Sequence, residues 1–285
     1  MRVSIYPKAN EIFDISDAGK YLVDGKRFSI VKELDDMIAG TEFIDGKDEY
    51  PMFYDCKSVD NFSNIDMELS KEKTVDAIFR LGDIEGKIGV LNFASAKNPG
   101  GGFMTGAQAQ EESLCYSSLL YDSLTSEEGN KFYSMNAIHK LPDYTDAMIY
   151  SPNVPFIRDS KLKNVPFVTV NVLTSPAINR GVLAKRDDTR KGLKEYDLEM
   201  KQRMFKILYE FKKKECRTLI LGAFGCGVFD NDPFTIARNW YELINLDVFE
   251  GCFDKIVFAV FDRPPKLSCY NPFKNGLGRK IKIYS

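Results

Sequence analysis

The sequence predicts an α/β layered fold, with helices on both faces of a central sheet. Three observations carry that expectation. Short apolar runs at residues 87–94 (KIGVLNFA), 165–173 (VPFVTVNVL), 216–221 (CRTLIL) and 255–261 (KIVFAVF) read as strands, the first of them buried. Helical patterns separate them. Two glycine-rich stretches, residues 98–106 and 222–229, stand where a strand gives way to a helix, the place where open α/β sheets bind ligands.

The elements follow in order. Residues 1–65 are polar and loop-rich, with one helix-like stretch around residues 28–38, while residues 45–64 carry Gly, Pro, Asp and Asn without clear periodicity. This first segment is expected to be an accessory layer packed on a main domain at residues 66–285. Residues 70–80 read as a helix, 87–94 as a strand and 108–124 as helical. Residues 148–151 and 165–173 are strand-like, the second strongly so. Residues 187–215 form a long charged amphipathic pattern whose apolar side is Leu193, Tyr196, Leu198, Met204, Leu208 and Phe211. After the strand at 216–221, residues 232–245 form a helix with Asp232 as N-cap and Pro233 at its first position, a strong start signal. The run at 255–261 is the last strand.

Composition narrows the function classes. Charged residues make up 28% and hydrophobic ones 44% of the 285, enough apolar material for a sizeable core. The net charge of −2 leaves no basic stripe of the kind nucleic-acid binders carry, so a phosphorylated ligand must be attracted locally. Six cysteines are scattered without a C-x-x-C pair, and His139 is the single histidine, which makes a zinc site a poor fit. No secretory signal, transit peptide or membrane-spanning run is visible, so free thiols in a reducing cytosol or nucleus are the expectation.

The second glycine loop, Gly222-Ala223-Phe224-Gly225-Cys226-Gly227-Val228-Phe229, runs from a strand to the Asp232-Pro233 helix start. Successive N–H groups in such a loop can cradle an anion, and the same residues serve equally as a tight structural turn. A dinucleotide fingerprint lacks its third glycine here, and neither cluster continues into the Gly-Lys-Ser/Thr of a Walker loop. Cys226 has Asp232 where a cysteine phosphatase needs arginine, so it reads as a packed loop residue. His139 reads as a surface or turn residue.

The first loop is the more specific one. Asn98-Pro99-Gly100-Gly101-Gly102 follows a strand, and after seven residues comes Gln110-Glu111-Glu112 at a helix start. Glycines allow close backbone approach to a ligand, and a carboxylate gives or takes a proton. Neighbouring helix residues diverge by roughly 100°. Glu111 and Glu112 therefore cannot flank one bond from opposite sides as paired glycosidase carboxylates do. One acid is expected to work and the other to position. Phe103 and Phe229 could lie against a ribose or base, or simply pack. Residues 151–159 and 174–177 follow strands on the same expected edge and could supply further walls.

The segments Leu91–Ser95, Asn98–Gly102, Gln110–Glu112 and Gly222–Phe229 resemble the microbial-type poly(ADP-ribose) glycohydrolases, a catalytic branch of the macrodomain fold; Tyr150–Pro155 and Asn231-Asp232-Pro233 are similar too. The resemblance spans residues 70–262. It implies a macrodomain-like three-layer α/β/α fold with a central mixed sheet. It also implies an enzyme that hydrolyses ribose–ribose O-glycosidic bonds of poly(ADP-ribose) and releases ADP-ribose, without metal or cofactor. By the same resemblance Glu112 is the general acid and base, and Glu111 helps to position the ribose. Gly100, Gly101 and Gly102 line the distal ribose and diphosphate, Gly225 to Gly227 belong to the diphosphate loop, and Phe229 orients the terminal ribose. Asn98, Phe103, Gln110, Cys226 and Val228 complete the expected binding set. Gly82-Asp83-Ile84 is similar to an adenine-side macrodomain tripeptide, although Asp83 also suits a turn before Lys87. The expected partners are poly(ADP-ribose) or ADP-ribosylated macromolecules, with no membrane, for a monomer. Two alternatives stay open: a hydrolase of mono-ADP-ribose on protein or nucleic acid, and a non-catalytic ADP-ribose reader, which would not need the Gln-Glu-Glu placement. Residues 1–65 and the tail after Asp262 carry no motif.

Overall fold

The computed structural model describes residues 4–47, 49–61, 64–82, 84, 86–186, 191–262, 267–278 and 281–284. The N-terminal part supplies α1 (Pro7–Ala18), β1 (Lys20–Val23), β2 (Lys26–Ser29), α2 (Val31–Ala39) and β3 (Glu42–Ile44). Next come β4 (Asp66–Ser70), α3 (Thr74–Leu81), β5 (Lys87–Phe93), α4 (Gln110–Ser117), α5 (Leu120–Leu124) and α6 (Glu127–Ile138). The chain continues through β6 (Met148–Arg158), β7 (Asn164–Ser175), α7 (Arg180–Leu183), α8 (Leu193–Lys213) and β8 (Cys216–Leu221). It ends with α9 (Pro233–Ile244), β9 (Lys255–Ala259), α10 (Tyr270–Leu277) and β10 (Lys282–Tyr284).

Eight strands form one sheet in the order β10-β4-β9-β8-β5-β7-β6-β3, and β1 and β2 make a separate hairpin. Neighbours from β10 across to β7 run parallel, whereas β6 and β3 are antiparallel additions. The sheet is mixed, as the resemblance implies. Side chains alternate across it. Ile88 and Val90 of β5, Ile220 of β8 and Val257 of β9 enter one core with Ile12, Ile78, Leu114, Leu120 and Phe132 of the helices. Leu91, Leu219, Leu221, Ile256 and Phe258 enter the other with Met204, Phe205, Trp240 and Phe273. Each fully buried side chain of this size contributes about 1.5–3 kcal/mol. Gly89 lies in β5 because a Cβ there would come within 2.6 Å of the Phe211 ring, so glycine lets α8 approach the sheet.

Several elements differ from the sequence reading for identifiable reasons. The strand expected at 148–151 continues to Arg158, through Pro152 and Pro155. Register shifts between Ser151 and Val154 and between Phe156 and Arg158, with Asn153 at φ 48°, make this a bulged strand, where proline is tolerated. Residues 151–158 are thus sheet, not a loop wall. The helix expected at 108–124 breaks at Ser118, which is extended and bridges to Phe156. The one expected from residue 70 begins at Thr74, because Ser70 still belongs to β4. Residues 187–190 lie outside the described residues, and α8 begins at Leu193. Within 28–38, β2 ends at Ser29 and α2 starts at Val31. Asp232 does cap α9, accepting the Thr235 N–H at 2.8 Å. Among the described residues no helix is long and apolar enough to cross a membrane.

Candidate active site

Because β4, β9, β8, β5 and β7 are parallel, their carboxyl ends share one edge. The loops after β5 and β8 leave from adjacent strands, so the two glycine stretches face one ligand-binding edge.

The first loop is closed by its own turns. Ser95 Oγ accepts the N–H groups of Lys97 and Asn98 at 3.3 and 3.1 Å, Gly101 N–H donates to Asn98 O at 2.9 Å, and Phe103 N–H to Gly100 O at 3.0 Å. Gly100 and Gly101 have φ of 68° and 60°, the left-handed region that disfavours a side chain. Space forbids one as well. A Cβ on Gly100 would press on Tyr121, Cys115 Sγ and Phe103 at 3.1–3.2 Å, and one on Gly101 would overlap Glu112 Oε1 and reach Glu111 Oε2 at 3.0 Å. Phe103 anchors the loop from beneath. Its ring is fully buried, edge-on to Phe13 and tilted against Tyr116 and Tyr121 at 4.9–5.0 Å between centroids. That ring packs and does not wall a ribose.

The two carboxylates meet different partners, as their divergence on the helix requires. Glu112, in the first turn of α4, accepts the Gly102 N–H on Oε1 at 2.7 Å and the Ala109 N–H on Oε2 at 2.9 Å. Glu111 accepts the Ser95 N–H on Oε2 at 2.7 Å and Asn92 Nδ2–H on Oε1 at 3.3 Å. Asn92 in turn donates to Thr174 Oγ1 at 3.2 Å. Both acids are buried, 3% and 7% exposed, and among the described residues neither has a Lys or Arg ion-pair partner. Burial pushes the Glu111 carboxyl up to about 8 from its ordinary 4.5; the Glu112 charge adds to this, while the Ser95 and Asn92 hydrogen bonds oppose it. Glu111 therefore carries a proton at neutral pH. Gln110 ties the helix to β5, accepting Phe93 N–H at 2.9 Å and donating to Leu91 O at 2.8 Å.

The second loop is half fixed and half open. Gly225, at φ 72°, has no room for a Cβ against Ala177 and Asn231 at 2.5–2.6 Å, whereas a Cβ on Gly227 would meet nothing within 4 Å. Asn231 holds the loop base, donating to Ile178 O at 2.8 Å and Gly225 O at 3.0 Å. Beyond it Val228 is 88% exposed and the half-buried Phe229 ring lies 5.8 Å from Tyr144. Among the described residues the N–H groups of Gly227, Val228 and Phe229 have no protein acceptor. Successive free N–H groups make an anion-binding concavity.

A cavity of about 500 Å³ opens along this edge. Its walls include Lys73, Thr74 and Val75 after β4, Phe93 at the end of β5, Ala109, Gln110 and Ser113 of α4, Cys226 and Gly227, and Phe261 after β9. Of the residues singled out in the sequence, Gln110, Cys226 and Gly227 line it directly. Gly101, Gly102, Glu111 and Glu112 form the hydrogen-bonded cluster beside it, and Asn98 and Val228 are exposed nearby on the two loops. Gly82 lies elsewhere, at the carboxyl end of α3, where a Cβ would come within 2.8 Å of Val168; Asp83 is outside the described residues. His139 pairs with Asp143 at 2.5 Å at the end of α6 and takes no part in the cavity.

Sequence reasoning missed several wall residues. Phe261, half exposed, lies under Lys73 with Nζ 5.5 Å from its ring centroid. It stands just past β9 on the binding edge, and that position was a usable signal. Lys73 needed β4 to be recognised. Tyr6, Lys161 and Cys269 reach the cavity only through tertiary packing. Among the described residues no group of three or more His, Cys, Asp or Glu is placed to hold a metal.

Comparison with known proteins places this geometry. The family model "Microbial-type PARG, catalytic domain" matches residues 9–159. The solved poly(ADP-ribose) glycohydrolase of Thermomonospora curvata is 33% identical, with a TM-score of 0.85 over 95% of this chain and 98% of that one. The same enzyme bound to the inhibitor ADP-HPD is 34% identical, with a TM-score of 0.82 over 94% and 97%. The Deinococcus radiodurans poly(ADP-ribose) glycohydrolase in complex with ADP-ribose is 36% identical, with a TM-score of 0.76 over 86% of this chain and 97% of that one. No curated protein matches.

Proposed function

The chain belongs to the microbial-type poly(ADP-ribose) glycohydrolases, and on that premise we propose how its own residues perform the reaction. It hydrolyses the ribose–ribose O-glycosidic bond of poly(ADP-ribose) and releases ADP-ribose. The observation that carries the reading is the cluster of two differently held carboxylates against Gly101 and Gly102, beside a ligand-sized cavity.

The adenosine end occupies the cavity, where Phe261 offers a ring face to a base. The diphosphate meets the free N–H groups of Gly227, Val228 and Phe229, and the terminal ribose lies over Gly100–Gly102 between Asn98 and Phe229. Glu112 gives a proton to the departing ribose oxygen while the anomeric carbon becomes oxocarbenium-like. It then takes a proton from the water that attacks that carbon. Neutral Glu111 donates a hydrogen bond to a ribose hydroxyl and adds no negative charge beside Glu112 once Glu112 has given up its proton. The backbone donors at Gly102 and Ala109 fix the working carboxyl in place, the kind of preorganisation that favours a near-attack geometry.

Residues 66–285 hold every group that acts in the chemistry, and residues 1–65 act as a supporting layer that adds Tyr6 to the cavity wall. Ser4 Oγ–H donates to Met104 O at 2.5 Å, and the Tyr6 ring lies where a Cβ on Gly106 would meet it at 3.0 Å. A single copy supplies the whole site, which supports a monomer as the working unit. Glu112→Gln is expected to cut polymer hydrolysis by about 10²–10⁴ with ADP-ribose affinity kept, measured by chain release beside calorimetry. Full turnover in that variant overturns the assignment, and binding without release by the parent protein means a reader. A panel of polymer, serine-linked, glutamate-linked and nucleobase-linked substrates decides the leaving group.

A further inference from the structure

Tyr144 has a left-handed backbone angle, φ 55°, which residues with side chains seldom adopt and which persists where the surroundings impose it. Here the surroundings are a set of named hydrogen bonds. Buried Arg203 of α8 donates from Nη1 to Asp143 O at 2.9 Å and Pro176 O at 3.0 Å, and from Nη2 to Tyr144 O at 3.3 Å. Asn136 Oδ1, also buried, accepts the Thr145 N–H and hydroxyl, both at 3.0 Å. His139 Nε2 closes the turn against Asp143 Oδ1 at 2.5 Å. The Asn179 and Gly181 N–H groups then tie this turn to the second glycine loop, donating to Pro142 O at 2.8 Å and to Phe229 O at 3.0 Å. Held in this way, the half-buried Tyr144 ring lies beside that of Phe229, with 5.8 Å between centroids and an inclination of 39°.

Strand order says what this ring would meet. Residues 142–147 lead into β6, which is antiparallel to β7, so they stand at the edge where β7 and the other parallel strands end. Along that edge Phe261 follows β9, the loop of Gly227 follows β8, and Gly100–Gly102 follow β5; β7 and β6 come next. An ADP-ribose unit seated as described above runs the same way: adenosine, diphosphate, terminal ribose. The group bonded to its anomeric carbon therefore continues past β5 toward β7 and β6, onto the side where Tyr144 stands.

We propose that Tyr144 forms the leaving-group subsite, its ring face taking the adenine of the departing unit and so favouring adenosine as the leaving group. In poly(ADP-ribose) the departing oxygen belongs to an adenosine ribose, which puts a purine one sugar away from the bond that breaks. A purine stacks on a tyrosine ring, and a ring already fixed by its backbone loses little freedom when it does so. The buried Arg203 and Asn136 act through Tyr144 as positioning residues. The direction of the ligand rests on the functional reading above, whereas the fixed aromatic surface does not.

The test uses the full chain and a two-unit substrate, ADP-ribosyl-ADP-ribose, beside free ADP-ribose, which lacks the departing adenosine. Removing an aromatic ring from beneath a base costs about tenfold. Tyr144→Ala should therefore lower kcat/KM on the two-unit substrate by about that factor, while calorimetry finds ADP-ribose affinity unchanged. Tyr144→Phe, which keeps the ring, should recover most of the loss. Tyr144→Gly guards against a folding artefact, since glycine accepts φ 55° without strain; it should show the same loss without melting lower than Tyr144→Ala. Parental kcat/KM in Tyr144→Ala, or an equal loss of ADP-ribose affinity, overturns the proposal. If the parent protein releases no ADP-ribose from the two-unit substrate, the functional reading fails instead. The uncleaved substrate then still decides the subsite: it must bind the parent more tightly than ADP-ribose does, and that advantage must vanish in Tyr144→Ala.

Discussion

The loops after β5 and β8 are both rich in glycine, leave adjacent strands, and use glycine in opposite ways. In the first, Gly100 and Gly101 are hemmed in by Cys115, Tyr121 and the two carboxylates, at backbone angles that only glycine adopts easily. In the second, Gly225 is confined but Gly227 has open space, beside exposed Val228 and three N–H groups without protein acceptors among the described residues. The first loop spends its glycines on holding chemistry in place. The second leaves backbone donors facing outward. A glycine count in a sequence cannot separate these uses; the neighbours of each missing Cβ can.

The comparison breaks most readily at Gly101. Gly101→Ala puts a methyl onto Glu112 Oε1 and forces φ 60° on a residue that resists it. Displacing a catalytic group by about 1 Å can cost on the order of 10² in rate. Turnover of polymer should fall by about that factor, with ADP-ribose affinity changed far less. Equal losses in both would mean that the loop serves binding rather than positioning.

Glu111→Gln sharpens the same loop through stability. The folded carboxyl titrates at about 8 and its ordinary value is 4.5. Between those values the folded state holds a proton that the unfolded state has released, so stability falls as pH rises through that window and levels off above it. Each pH unit corresponds to about 1.4 kcal/mol, so the loss is on the order of a few kcal/mol. Glutamine does not titrate. The variant should therefore melt higher than the parent, by several degrees at about pH 8.5 and by little at about pH 5. A melting difference independent of pH would place the proton elsewhere.

How much of this was legible in the sequence follows from where each signal resides. The strands at 87–94, 216–221 and 255–261 were readable because two cores bury both faces along most of their length and leave continuous apolar runs, whereas 165–173 is buried only from Val170 onward and was legible from its β-branched composition. The start of α9 was readable because Asp232 and Pro233 act locally. β10 is exposed along its whole length, so no pattern marks it, and β6 crosses two prolines because pairing with β7 overrides local preference. Helical spacing foretold that Glu111 and Glu112 diverge. It could not say that one would meet Gly102 and Ala109 and the other Ser95 and Asn92, since those partners arrive only when the loop closes. Tyr6, Lys73 and Phe261 share a cavity that no window of sequence contains.

The smallest expected effect probes the open loop. Gly227 is not in the left-handed region, and a Cβ there touches nothing. Gly227→Ala should therefore fold with stability within about 0.5 kcal/mol of the parent, as an ordinary exposed substitution does. A diphosphate seated on the N–H groups of Gly227, Val228 and Phe229 would nonetheless meet the new methyl. Weakening one such hydrogen bond is worth about 0.5–1.5 kcal/mol, which predicts a loss of several-fold in ADP-ribose affinity by calorimetry. Gly225→Ala supplies the contrast within the same loop, since its Cβ collides with Ala177 and Asn231 at φ 72° and should lower the melting temperature. If Gly227→Ala binds ADP-ribose as the parent does, the open face of this loop is not the one that holds the ligand.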